Sequence, residues 1–439
     1  MSALAQLAKA KGFAVKGSDR GFDRGNNQIL MQKLKSQNVE LFLQDGTGLA
    51  KGDTLVVSTA VEDTIPDVKA AKELNCEILH RSQLLANFFN SSKGIAVGGT
   101  SGKSSVTAMV GHILTECGID PTVVNGAVMP QFNSDTMHGN VRCGDSDVMV
   151  IEADESDGSI VNYRPFIGIL NNISKDHKTL EELNLLFTTF VDNCQHVVYN
   201  INCPEVAKVQ LHENVVSYGI ENSEADFNAE NLKRTSQGVE FQINKLTVTL
   251  PVLGAHNVEN ALSAIATASL LGVTLEDSAK VMATYAGIER RMQFIGEVND
   301  IRVIDDFAHN PDKIRAVIQA LKTDDNRLIV FWQPHGFGPV KFLKNEFIDS
   351  FVKNTNENDL IVMPEIYYAG GSADKSVSAK DLIDEIGKSG RNAQFVPNRA
   401  NIPNFIKNEA KAGDTVLLLG ARDMTLAAFA KDVYDCLKQ

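Results

Sequence analysis

The segment Ala96-Val97-Gly98-Gly99-Thr100-Ser101-Gly102-Lys103-Ser104-Ser105 joins an apolar strand to a helical run from Val106 to Leu114. Glycines let a backbone curl so that its N–H groups face an anion. The helix N-terminus that follows adds partial positive charge. At this spacing Lys103 can reach the β- and γ-phosphates of a nucleotide, and the Ser104 hydroxyl can bind Mg²⁺. The usual phosphate loop has glycine five residues before Gly102, where this chain has Val97, so the loop is a variant. The bland alternative is a glycine-rich turn that caps a helix.

Further polar clusters follow other apolar strands. Glu152-Ala153-Asp154-Glu155-Ser156-Asp157 comes directly after Val148 to Ile151. Carboxylates in that position suit Mg²⁺, which takes one or two of them together with phosphates and water; a solvated acidic turn is the alternative. Asn171 to His177 follows the strand from Ile167, and His177 can bind a second divalent ion or orient a carboxylate; an inert surface histidine is the commoner alternative. Leu253-Gly254-Ala255-His256-Asn257 leads into a long apolar helix. Asn257 can cap that helix or offer its amide to a nucleobase edge. Arg290 and Arg291 can clamp a phosphate, or be ordinary surface arginines. Asp305-Asp306-Phe307-Ala308-His309-Asn310 and Gln333-Pro334-His335 each follow a strand, at the end where α/β sites collect their groups. Helix capping by Asp306 or Asn310 competes with a catalytic role.

Positioning these groups requires parallel α/β units. Short β-branched runs alternate with helical stretches almost throughout, the pattern of parallel sheets. One series of strands includes Phe13 to Asp19, Thr54 to Ser58 and the residues around Ile78; a second starts at Gly94 and a third at Ile301. Breaks near 90 and 290 divide the 439 residues into 1–90, 91–290 and 291–439, in keeping with roughly 150 residues per domain. Residues 1–11 read as a helix that runs straight into the strand from Phe13. A Rossmann-like unit opens with a strand and a glycine-rich turn, so either the chain begins late or this domain lacks its first strand.

Composition narrows the function classes. The 42 basic and 55 acidic residues leave a formal net charge of −13, against nucleic-acid coating or binding to an anionic membrane. Local basic pockets for phosphates remain compatible with that charge. No run approaches 18 apolar residues, and the six scattered cysteines read as reduced thiols. A cytoplasmic protein is expected, monomeric or a weak homodimer, with neither a nucleic-acid nor a membrane partner.

In this order the segments resemble the Mur ligases, the ATP-dependent amide-bond-forming enzymes of peptidoglycan synthesis, over nearly the whole chain. Gly99 to Ser104 match the family's ATP loop. Glu152 to Asp157 match the acidic motif of its alanine-adding branch, and Asp176-His177 its downstream metal histidine. The resemblance implies three α/β domains: a Rossmann-like UDP-sugar domain, a central ATP-binding domain and a C-terminal Rossmann-like domain for the acceptor. It implies ATP with Mg²⁺ (or Mn²⁺), and a reaction that joins UDP-N-acetylmuramate to L-alanine through an acyl phosphate. A short peptide or another amine is the alternative acceptor, and a non-catalytic ATP-binding relative is the alternative class.

The implied roles map onto single residues. Lys103, Glu152, His177, Arg291, Asp306 and His309 would be catalytic. Gly99, Thr100, Ser101, Gly102, Lys103, Ser104, Ser105, His256, Asn257, Asn260 and Arg291 would bind ATP. Ser104, Glu152 and His177 would hold metal, and Ser18, Asp19, Ser58, Thr59, Ala60 and His335 would meet the other substrates. Two departures from the alanine-adding pattern bear on substrate: Ser101 replaces a histidine of the ATP loop, and Gly336-Phe337-Gly338-Pro339 lacks two arginines that follow Gln-Pro-His.

Overall fold

The computed structural model describes every residue except 59–60, 175–177, 236–237, 324–325, 369–373, 422 and 424. The chain forms two compact units, Met1–Ile288 and Glu289–Gln439.

In the first unit the opening element is the helix Ser2–Ala10, followed by the short strand Lys16–Ser18, which pairs in parallel with Glu40–Phe42. Thr54–Val57 and Glu77–His80 form a second parallel pair, with the helix Pro66–Glu73 between them. Among the described residues the dominant feature of this unit is a ten-stranded sheet. Its central strand, Lys93–Gly98, lies between Val148–Glu152 on one side and Ile167–Leu170 on the other, all three parallel. Successive side chains of a strand point to opposite faces, and this sheet is covered on both. Ile95 and Val97 pack with Val106, Met109 and Ile113 of the helix Lys103–Glu116. Ala96, Ile151 and Leu170 pack with Phe187 and Phe190 on the other side. Two buried faces explain why these strands read as unbroken apolar runs.

The connection from Lys93–Gly98 runs through the helix Lys103–Glu116 toward Thr122–Val124, whereas that from the adjacent Ile167–Leu170 runs the other way toward His196–Asn200, so the chain leaves the two carboxyl ends in opposite directions. That arrangement opens a crevice where α/β proteins hold ligands. The sheet departs from the expected parallel pattern at both edges. Phe227–Arg234, Val239–Ile243 and Leu246–Leu250 form an antiparallel extension, and Val141–Arg142 pairs antiparallel with Thr122–Val124.

The second unit carries a six-stranded sheet in the order Gln293–Val298, Ile301–Asp306, Thr415–Gly420, Leu328–Gln333, Leu360–Met363, Asn392–Phe395. Only the pairing of the first strand with Ile301–Asp306 is antiparallel among the described residues. Ile329, Phe331, Val416 and Leu418 build its core with Phe429, Ala430 and Val433 of the helix Leu426–Lys438. Asn310 caps the helix Pro311–Leu321, its side chain accepting from Lys313 N–H, so the capping alternative for that residue is the one observed.

Candidate active site

Gly99 and Gly102 give the phosphate loop its shape. Both have left-handed φ, +131° and +84°, conformations that glycine adopts without steric cost. A Cβ on Gly102 would lie 2.4 Å from Asn171 Nδ2 and 2.5 Å from Asn260 Oδ1. Gly102→Ala is therefore expected to displace both amides and, together with the left-handed strain, to weaken ATP binding by about tenfold or more. Isothermal titration with a non-hydrolysable ATP analogue measures this. The helix Lys103–Glu116 begins at Gly102 with no side-chain cap, so its first N–H groups stay open to an anion.

Amide side chains from three elements lock the loop. Asn172 accepts from Ser101 N–H at 2.8 Å and donates back to the Ser101 carbonyl at 3.0 Å, while its own carbonyl accepts from Thr100 N–H. Asn171 donates to the Ser101 carbonyl and to Asn260 Oδ1, both at 3.0 Å, and accepts from the buried Tyr218 hydroxyl at 2.5 Å. Asn125 donates to the Ser104 carbonyl at 2.9 Å. Asn257 donates to the Leu253 carbonyl at 2.7 Å and accepts from Asn260 at 3.1 Å. Asn257 and Asn260 are buried and spend their amides on this network, while His256 is exposed on the first turn of the helix Ala255–Ser269.

The acidic motif divides by partner. Glu152, at the end of its strand, accepts from Gly126 N–H at 2.8 Å, close against a glycine whose Cβ would collide with its carboxylate. Asp154 and Asp157 both face Arg81, at 3.1 and 3.4 Å. Glu155 is buried and pairs with Lys103 Nζ at 2.8 Å; burial pushes its carboxyl up, against the pull of Lys103. Asp154 is held low by hydrogen bonds from Ser156 and by Lys103 and Arg81, which together outweigh its desolvation. Among the described residues no three His, Cys, Asp or Glu side chains converge as a metal cage. The donors here, a serine hydroxyl beside a phosphate loop and the Glu152 carboxylate, fit a hard cation that keeps water and phosphate oxygens as its other ligands. His177, Thr59 and Ala60 lie outside the described residues.

Ser18 donates to Asp67, which also accepts from Gly46 N–H at 2.7 Å. Asp19 caps the short helix Arg20–Asp23 through Gly21 N–H. Both candidate sugar-side residues therefore shape the loops at the end of the first parallel pair; Ser58 follows the strand Thr54–Val57 and is half-buried.

In the second unit the paired arginines separate. Arg290 is buried, its Nε donating to Asp305 Oδ2 at 3.0 Å and its Nη2 to the Gly420 carbonyl at 2.7 Å. Arg291 is exposed. Burial raises the Asp305 carboxyl to about 6 even with Arg290 beside it. Asp306 accepts from Met292 and Ala308 N–H, each at 2.7 Å, so it ties the chain entering the neighbouring strand Gln293–Val298 to the chain leaving its own, rather than capping a helix. His309 and His335, each just past a strand end, have ring centroids 5.7 Å apart, and both are half-buried.

A glycine-shaped phosphate loop at the switch point of one α/β sheet defines a phosphate-loop class of α/β protein, here followed by a second α/β unit with polar groups at its strand ends. The chain belongs to the Mur ligase family. Residues 1–93 match the family's catalytic domain, 97–268 the Mur ligase middle domain, and 290–422 the glutamate ligase domain. It is 31% identical to the UDP-N-acetylmuramate–L-alanine ligase of Acaryochloris marina, across 97% of this chain and 91% of that one. It is 34% identical to the enzyme of the same name from a Cyanothece strain, across 97% and 90%. The crystal structure of UDP-N-acetylmuramate-alanine ligase from Thermotoga maritima superposes with a TM-score of 0.81 at 24% identity, covering 99% of this chain and 96% of that one. A murein peptide ligase from Psychrobacter arcticus gives 0.66 at 24%, covering 100% and 96%. These matches bear out the family resemblance and the α/β fold expected from the motifs.

Proposed function

We propose that this protein is an ATP-dependent ligase that joins UDP-N-acetylmuramate to L-alanine. The carrying observation is the loop Gly99–Ser104 at the switch point with Lys103 and Glu152 beside it; the near-full-length relatives of that name support the substrates. In this reading the lactyl carboxylate of the sugar attacks the γ-phosphate of ATP, giving an acyl phosphate and ADP. The amine then displaces phosphate and leaves an amide. Lys103 neutralises charge on the transferring phosphoryl group, a term that grows as the P–O bond to ADP breaks. The amide network holds the loop carbonyls and N–H groups in place, so no reorganisation is needed at the moment of transfer.

Mg²⁺ supplies charge neutralisation on the phosphate oxygens when bound, and Ser104 and Glu152 would hold it, with His177 assigned to a second ion. His256 takes the adenosine side. Arg291, Asp306, His309 and His335 belong to the acceptor unit: Arg291 for phosphate, the histidines for the acceptor, and Asp306 for the shape of the strand end. The three family matches support a UDP-sugar domain at 1–90, an ATP domain at 91–290 and an acceptor domain at 291–439.

One observation favours a second reading within the class. Gly336 has φ +71°, where an arginine side chain would be strained, and the helix Phe337–Phe342 that follows carries Lys341 as its only basic residue. A carboxylate of the acceptor would find no bidentate partner at its start, so another amine, including a short peptide, is the competing acceptor. The test incubates the protein with ATP, Mg²⁺, UDP-N-acetylmuramate and a panel of amines, with products read by mass. The alanyl product is expected; product with another amine and none with alanine overturns the choice of acceptor.

A further inference from the structure

The four carboxylates between Glu152 and Asp157 look interchangeable in the sequence, but they divide among three partners. Arg81 takes Asp154 and Asp157, and Gly126 N–H takes Glu152. Of the four, Glu155 is the one that hydrogen-bonds the loop lysine, with Lys103 Nζ 2.8 Å from its Oε2 and 3.1 Å from its Oε1. The same ammonium lies 2.7 Å from the Gly99 carbonyl and 3.3 Å from the Thr100 carbonyl.

An ammonium has three N–H donors and no more. With two loop carbonyls and a carboxylate around it, every donor of Lys103 is engaged. The lysine can meet a phosphate oxygen only by giving up one of these acceptors. The carbonyls belong to the loop that must keep its shape, and as acceptors they are neutral. The ion pair with Glu155 is the interaction a phosphate would replace, because both are anions competing for one cation. The pair is also sheltered: the Glu155 side chain is 8% exposed and that of Lys103 19%, so solvent screens it weakly.

Resting on the nucleotide reading above, we propose that Glu155 is a positioning residue that competes with the ATP phosphates for Lys103 and so limits ATP affinity. Its carboxylate keeps the ammonium folded over Gly99 and Thr100, and phosphate binding exchanges one anion for another. Neutralising that carboxylate releases the lysine to the phosphates.

The experiment titrates a non-hydrolysable ATP analogue with Mg²⁺ into the full chain and into Glu155→Gln. The variant should bind roughly three- to tenfold more tightly, the size expected when one close competing charge is removed. In turnover the KM for ATP should fall without a matching rise in kcat, a split that general loosening of the loop would not give. Glu155→Gln introduced into Lys103→Met should change affinity less than twofold, since no ammonium is left to release. If Glu155→Gln loses its thermal transition, Glu155→Asp replaces it, with a smaller gain in affinity expected from the shortened reach. Equal or weaker binding by a folded variant, or the same gain in the Lys103→Met background, overturns the proposal. Absence of ATP binding by the unsubstituted chain overturns the nucleotide reading and this inference together; equal binding by wild type and variant overturns this inference alone.

Discussion

Lys103→Ala is expected to abolish measurable phosphoryl transfer, with ATP-dependent phosphate release falling by at least 10²–10³-fold, on the order of the loss when one charge-stabilising donor is removed from a reacting centre. The ammonium is the one cation within hydrogen-bond reach of the loop carbonyls of Gly99 and Thr100 among the described residues. Its removal takes away the pull that opposes burial at Glu155, so that carboxyl moves further toward its neutral form and the lost ammonium itself carries the effect. The fold should persist, because the loop is tied by Asn125, Asn171 and Asn172 to its own backbone and none of these bonds involves the lysine side chain. Phosphate release by a coupled assay, with a thermal melt beside it, measures both halves of this expectation. Near-normal activity in a folded variant would remove Lys103 from the phosphoryl-transfer role.

The second large effect is on stability. Arg290→Ala should destabilise the unit Glu289–Gln439 by about 3–5 kcal/mol, the cost of leaving one member of a buried ion pair alone. For a unit of this size that lowers Tm by about 10 °C. Asp305, 1% exposed, would lose its partner, and the Gly420 carbonyl would lose its donor. The guanidinium also lies over the Phe307 ring, 5.4 Å from its centroid, so packing is lost with the charge. Differential scanning calorimetry should show the loss in the transition of that unit. Arg290→Met combined with Asp305→Leu should recover part of it, since both buried charges are then gone. A Tm for Arg290→Ala within 2 °C of wild type would contradict the assignment of Arg290 as a buried strut. Arg291 is exposed and Arg291→Ala should leave the transition in place.

The contrast between these neighbours shows where sequence reading stops. The strands around Ile95, Val150, Ile169, Val330 and Leu417 are legible because both of their faces are buried, so each reads as a continuous apolar run. The antiparallel extension is harder to see as a sheet. Its strand Val239–Ile243 alternates buried Val239, Phe241 and Ile243 with half-buried Glu240 and Gln242, a period-two signal too short to mark a sheet edge without its partners. In the site, the loop Gly99–Ser104 and the acidic motif are legible because their chemistry lies in contiguous residues. The amides that hold the loop are not, since Asn125, Asn171 and Asn172 act on backbone 21, 70 and 71 residues away, and an asparagine after a strand carries no mark of its partner. The division of the acidic motif between Gly126, Arg81 and Lys103 is hidden for the same reason. So is the separation of Arg290 from Arg291: a charge pair says nothing about which member turns inward, and only the approach of Asp305 and Gly420 decides it.

In the proposed reaction one chain couples ATP cleavage to amide formation on a UDP-sugar carboxylate. The most direct measurement supplies ATP, Mg²⁺, UDP-N-acetylmuramate and L-alanine, and quantifies ADP, phosphate and the alanyl product together. All three are expected in equal amounts, with phosphate release lost when either the sugar or the amine is omitted. Phosphate release that continues at the same rate without UDP-N-acetylmuramate, or ATP binding with no turnover under any of these conditions, would contradict it.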